Sequence, residues 1–196
     1  VGLAGFMIPS LKDLFIRLIP VNILFAFVVL LLGESRLNLQ FLFYFVLCFA
    51  FGYFIELAGT RTGVIFGDYQ YGGGLGIKVS DVPLMIGVNW FFMAYTSVSF
   101  VKEYFSSKII QTLLAPALMV GYDFFLEPFA MEHDMWSWAG DIIPLQNYAA
   151  WYLGGLFLCS IAIWSRFSIK NKYAVFLFFV QFLFFLILYI RREILS

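Results

Sequence analysis

Charge is scarce in this 196-residue chain. Asp, Glu, Lys and Arg together make up 12% of it, against about 25% in a typical soluble domain. With 63% hydrophobic residues and a mean hydropathy of +0.92, an ordinary water-soluble domain is excluded. Cysteine is almost absent too. Cys48 and Cys159 both lie in apolar runs, which excludes a Cys-rich disulfide framework or a Cys–His metal site and leaves two small apolar fillers. No basic run exceeds Arg191-Arg192 and the formal net charge is zero, so no nucleic-acid surface is expected. The glycines lack the Lys-Ser/Thr ending of a phosphate-binding loop and the strand-to-helix setting of a dinucleotide fingerprint, which discounts nucleotide binding.

What the chain has in abundance is long apolar runs. They read as Leu14 to Gly33, Leu39 to Ala58, Val82 to Val101, Ile109 to Leu126, Asn147 to Ser165 and Tyr173 to Ile190, each near the ~20 residues that span a hydrocarbon core. The runs are apolar on every face, unlike the ~10-residue alternating strands of a membrane barrel. The expected fold class is all-α: a polytopic membrane bundle of six helices forming a single domain over residues 1–196, multi-pass in the cell membrane. Apolar segments recur to the C-terminus, so a cleaved leader followed by a soluble domain does not fit. The opening VGLAGFMIPS resembles the tail of another apolar segment and leaves room for a seventh helix upstream.

Six spans sort the charges. One face receives Arg36, Lys102, Lys108, Arg166, Lys170 and Lys172 with only Glu34 and Glu103. The other holds Asp13, Glu56, Asp68, Asp81, Asp123, Glu127, Glu132, Asp134, Asp141 and Glu193, together with Lys12, Arg17, Arg61, Lys78, Arg191 and Arg192. The Lys/Arg numbers on the two faces are equal, so the positive-inside rule gives no firm orientation. Asp and Glu contribute little to topology, so their gathering on one side needs another reason. A solvated loop face would be the plain one. Against it, Glu56 falls in the last turn of its span, and Asp123 and Glu127 fall four apart at the end of theirs. An ionisable group at membrane depth costs about 2.5 to 3.5 kcal/mol at mid-helix and usually faces the bundle interior. The i, i+4 spacing puts Asp123 and Glu127 on one helical face, where two carboxylates cannot both ionise cheaply; one becomes a candidate general acid.

After Glu56 the glycines at 59, 63, 67, 72, 73, 74 and 76 are expected to end the helix and fold the backbone into a structured interfacial or re-entrant loop. Tyr69, Tyr71, Trp136, Trp138, Tyr148 and Trp151 lie at span ends, either as an aromatic belt or as pocket walls. Aromatic faces attract cations, so a pocket of Trp and Tyr beside carboxyls suits acid-started polyene chemistry. His133, the only histidine, reads as a surface residue. A metal site from Glu127, Glu132, His133 and Asp134 lacks two ligands at recognised helical spacing, and none is expected.

Two blocks resemble a known family. The first is Glu56, Gly59, Thr62-Gly63, Phe66-Gly67, Tyr69 and Tyr71, then Val82-Pro83-Leu84 and Trp90. The second is Asp123, Glu127-Pro128, Trp136, Trp138, Ile143-Pro144, Asn147-Tyr148 and Trp151. Together they are similar to the integral-membrane carotenoid 1,2-hydratases, which add water to acyclic carotene end groups. The likeness spans roughly residues 52 to 155 and departs from the pattern at Asp141, where an aromatic residue or glycine is expected. The resemblance implies an enzyme that needs neither redox cofactor nor metal. It implies Glu56, Asp123 and Glu127 as catalytic groups, with Asp123 or Glu127 as proton donor and Glu56 positioning or deprotonating water. Substrate would be bound by Tyr69, Tyr71, Trp90, Trp136, Trp138, Asn147, Tyr148 and Trp151. The implied partners are a lipid-soluble carotenoid, membrane lipid and other membrane enzymes of the same pathway, and no nucleic acid. Three rivals stay open: a membrane carotene cyclase using the same protonation, a small proton-linked transporter, and a structural or assembly membrane protein.

Overall fold

The computed structural model describes residues 2–34, 37–165 and 171–195. Arg36, Arg166 and Lys170, three of the loop cations named above, lie outside them. In chain order the elements are α1 (Gly2–Met7), α2 (Lys12–Arg17), α3 (Ile19–Leu32), α4 (Leu39–Thr62), β1 (Tyr69–Tyr71), β2 (Lys78–Val79), β3 (Val82–Pro83), α5 (Leu84–Tyr104), α6 (Lys108–Glu132), β4 (Trp136–Trp138), α7 (Leu145–Trp164) and α8 (Lys172–Leu195). Among the described residues five helices, α4 to α8, are long and apolar enough to cross a membrane. The all-α membrane bundle expected from the sequence is the observed architecture.

The first expected span differs. Pro20 cannot donate a helical hydrogen bond and its ring clashes with the preceding turn. The run from Leu14 to Gly33 is accordingly divided at Leu18, leaving α3 with 14 residues and Pro20 in its first turn. At 1.5 Å per residue that is about 21 Å, short of a ~30 Å hydrocarbon core.

α4 and α6 both outrun their expected ends. Gly59 does not stop α4. Gly63 does, with φ +65° and its N–H donating to the Gly59 carbonyl at 2.9 Å, a left-handed cap that only glycine takes without strain. Glu56 is therefore nearly two turns inside α4, on a stripe with Phe41, Tyr44, Cys48, Gly52 and Gly59 that is buried throughout. α6 likewise runs on to Glu132, so Asp123 and Glu127 lie inside it on its buried face.

α5 is the central post. It is buried along most of its length and packs against α3, α4, α6, α7 and α8. Two of its hydroxyls are satisfied within the helix, Thr96 Oγ1 donating to the Phe92 carbonyl and Ser99 Oγ to that of Tyr95, each at 2.8 Å, whereas Ser97 Oγ is buried without a hydrogen-bond partner among the described residues. Cys48 and Cys159 are free and buried, the latter with Sγ 3.7 Å from Met119 Sδ, consistent with apolar filling.

The loops after α4 and α6 are not irregular. β1 pairs antiparallel with β4, matching Tyr69 with Trp138, Gln70 with Ser137 and Tyr71 with Trp136. Alternation along a strand puts all four aromatic side chains on one face and Gln70 with Ser137 on the other. Gly72 and Gly74 continue the contact. Their amides donate to Met135 O and Asp134 O at 3.0 and 2.7 Å, and a Cβ on Gly72 would lie 2.3 Å from the Asp134 carbonyl. This ribbon covers the end of the bundle at which α4 and α6 finish and α5 and α7 begin.

Candidate active site

Glu56 projects from α4 into a cage of neutral donors. Its Oε2 accepts from Tyr69 Oη at 2.5 Å and Tyr71 Oη at 2.7 Å, and its Oε1 accepts from Trp90 Nε1 at 3.0 Å. Glu127 on α6 is held the same way. Its Oε2 accepts from both Trp136 Nε1 and Trp138 Nε1 at 2.8 Å, and its Oε1 accepts from Asn147 Nδ2 at 3.1 Å. Asn147 Nδ2 also donates to Asp123 Oδ2 at 2.9 Å, whereas Asp123 Oδ1 is buried without a hydrogen-bond partner among the described residues. All three acids are 1–3% exposed, and among the described residues no Lys or Arg pairs with any of them.

Burying three carboxyls with only neutral donors is costly unless their hydrogen bonds are made or a proton is held. Two have every oxygen supplied with donors, which suits carboxylates that only accept. Asp123 alone keeps an oxygen with no donor, where a proton can reside. Burial and the neighbouring Glu56 push the Tyr69 and Tyr71 hydroxyls well above the usual phenol range, so both remain donors at neutral pH.

The walls are aromatic. Trp90 and Trp151 stack at 4.1 Å with 3° between their planes, and Tyr69 lies against Trp138 at 5.0 Å. Tyr69, Trp138 and Trp151, with Phe66 and Ile86, line a partly open space of about 20 Å³ beside the three carboxyls, room for one water. Ten of the eleven residues singled out in the sequence thus converge: Glu56, Asp123, Glu127, Tyr69, Tyr71, Trp90, Trp136, Trp138, Asn147 and Trp151. Tyr148 does not. Asn147 and Trp151 are four apart on the buried face of α7, and the turn between them carries Tyr148 outward onto Phe124, at 6.0 Å. Asp141 is exposed and adds no charge to the cavity. Phe66 stood only in the family pattern, and Ile86 gave no signal in a uniformly apolar run.

The four acidic and imidazole groups weighed as metal ligands go to separate partners. Glu132 pairs with Arg192 at 3.6 Å, Asp134 Oδ2 accepts from the Gly73 amide at 2.7 Å, and Glu127 faces the indoles. His133 is buried rather than superficial. It stacks on Phe129 at 4.0 Å and donates from Nδ1 to the Phe129 carbonyl at 2.7 Å.

A family model described as carotenoid biosynthesis protein matches residues 18–194, which takes in all three carboxyls and the whole aromatic wall. The chain belongs to the carotenoid biosynthesis protein family. It is 31% identical over 115 residues to a protein of Haloarcula japonica named bisanhydrobacterioruberin hydratase, an overlap covering 54% of this chain and 39% of that relative. The chain thus spans well under two thirds of the relative's length. No solved structure matches it. Family and spans together make this a membrane protein of carotenoid biosynthesis.

Proposed function

We propose that the protein adds water across the terminal C1–C2 double bond of an acyclic carotenoid end group. The supporting observation is one cavity that brings together a carboxyl with a vacant oxygen, two carboxyls saturated with donors, an aromatic wall and room for a single water. The hydratase named among its relatives is consistent with this reading.

Asp123 gives its proton from Oδ1 to C2, and the π electrons of the double bond form the new C–H bond. The positive charge is left at C1, a tertiary centre. The carboxylates of Glu127 and Glu56 and the faces of Trp and Tyr stabilise that cation without forming a bond to it. The cavity water attacks C1 and passes a proton to Glu56, giving the tertiary alcohol. Return of that proton to Asp123 closes the cycle, so the net change is one water added. Every step uses side chains of this chain alone.

The space has room for one water and not for the branched end of a polyene, so in this reading the aromatic ribbon of β1 and β4 yields to admit substrate. Room for water beside the acids favours hydration over cyclisation in this reading. A cyclase has to exclude water from the cation, whereas this cavity has a place for it beside three acceptors. The test is expression in a lycopene-accumulating bacterium with chromatography and mass detection of the pigments. A more polar pigment heavier by one water supports hydration, and an isomer of unchanged mass supports cyclisation instead.

A further inference from the structure

On the opposite side of α6 from the carboxyl cavity lies a larger one, of about 230 Å³. It is bordered by Lys12 from the start of α2, by Glu132 and His133 from the end of α6, and by Arg191 and Arg192 from the end of α8. Its floor is apolar, with Phe6, Phe129 and Leu188 among the side chains. The charges are unequal. Arg192 pairs with Glu132 at 3.6 Å, while Lys12 and Arg191 have no carboxylate within ion-pair distance among the described residues. Burial holds the His133 imidazole below its usual range, so it is neutral and the excess positive charge belongs to Lys12 and Arg191.

We infer that this cavity binds the phosphodiester of an anionic membrane phospholipid. Two cations with no ion-pair partner among the described residues, beside an arginine, supply the charge and donors that a phosphate takes. The place fits a lipid rather than a free ion. α6 and α8 are membrane-spanning by length and composition, and their ends are where headgroups lie. The aromatic and aliphatic floor gives the glycerol and upper acyl carbons a surface that inorganic phosphate would leave empty. The inference does not depend on the reaction in the carboxyl cavity, since it shares none of that cavity's residues.

Native mass spectrometry of the detergent-purified protein tests it, with phosphatidylglycerol and phosphatidylcholine added in equal amounts. The wild type is expected to retain phosphatidylglycerol preferentially. K12Q/R191Q should lower that retention about tenfold or more, since each basic group near a lipid surface contributes on the order of 1 kcal/mol. K12R/R191K should keep the preference, which separates charge from packing. K108Q, at the opposite end of α6, should leave it intact. If the double variant does not fold, K12Q and R191Q are measured singly and each should lower retention. Equal retention of both lipids by the wild type, or unchanged retention in the glutamine variants, would overturn the inference. Displacement of the lipid by millimolar inorganic phosphate would overturn it as well, assigning the site to a free anion.

Discussion

Asp123 and Glu127 share one donor: the Asn147 side-chain nitrogen lies 2.9 Å from Asp123 Oδ2 and 3.1 Å from Glu127 Oε1. One helical turn of α6 sets the two carboxyls side by side, and a single amide from α7 ties them together. The sharing is uneven. Glu127 also takes two indole N–H groups, whereas the second oxygen of Asp123 takes no donor among the described residues. That difference is the basis for distinguishing acid from acceptor.

Asp123→Asn should reduce turnover by at least about 100-fold, because an amide cannot deliver a proton and general acids contribute typically 10²–10⁴-fold. Pigment conversion measured against protein level in the membrane checks this. Full activity at unchanged level would remove Asp123 from the mechanism.

Glu56→Gln and Glu127→Gln place an N–H where each carboxylate now faces O–H or N–H donors. One donor in each cage then loses its acceptor, at a cost of about 1–3 kcal/mol, and turnover should fall by orders of magnitude. Thermal unfolding in detergent and pigment analysis read the two effects separately. Wild-type turnover in all three carboxyl variants would remove the carboxyls from the mechanism.

Asn147→Leu keeps α7 helical and removes the shared donor. The expected result is loss of activity with protein still in the membrane, and partial recovery with Asn147→Gln if the longer amide reaches either carboxyl. Activity unaffected by Asn147→Leu would show that the tie between the acids is dispensable.

Gly52→Ala tests how the site is supported from below. A Cβ at Gly52 would stand 2.4 Å from the Trp90 ring, which both donates to Glu56 and stacks on Trp151. Overpacking of this kind costs about 1–3 kcal/mol, so a lower unfolding temperature and lower turnover are expected together. Gly121→Ala, where no atom lies within 4 Å of the new Cβ and alanine is the better helix former, should leave turnover unchanged and should not lower the unfolding temperature.

Much of this was legible in the sequence where the physics is local. The apolar runs announced the spans, and the four-residue spacing of Asp123 and Glu127 put them on one face. The depth of Glu56 was underestimated because Gly59 and Gly63 look equally able to end a helix; the stop falls where the chain turns to positive φ, at Gly63. Pro20 was visible, yet the uniform apolarity of Leu14 to Gly33 concealed that it divides the run. The ribbon was hidden for a different reason. Tyr69 and Trp138 are far apart in sequence, and strands of three residues have too short an alternation to stand out. Tyr148 was grouped with its neighbours by sequence proximity, while the helical turn that brings Asn147 inward takes it outward.

The central claim is protonation of C2 followed by capture of water, and isotopes address it most directly. Membranes containing the protein would be incubated with an acyclic carotene in H₂¹⁸O, and separately in D₂O, and the product analysed by mass spectrometry. The account predicts ¹⁸O in the tertiary hydroxyl and one deuterium at C2, with neither product formed by Asp123→Asn. A hydroxyl oxygen drawn from dioxygen, or a cyclised product with no added oxygen, would contradict it.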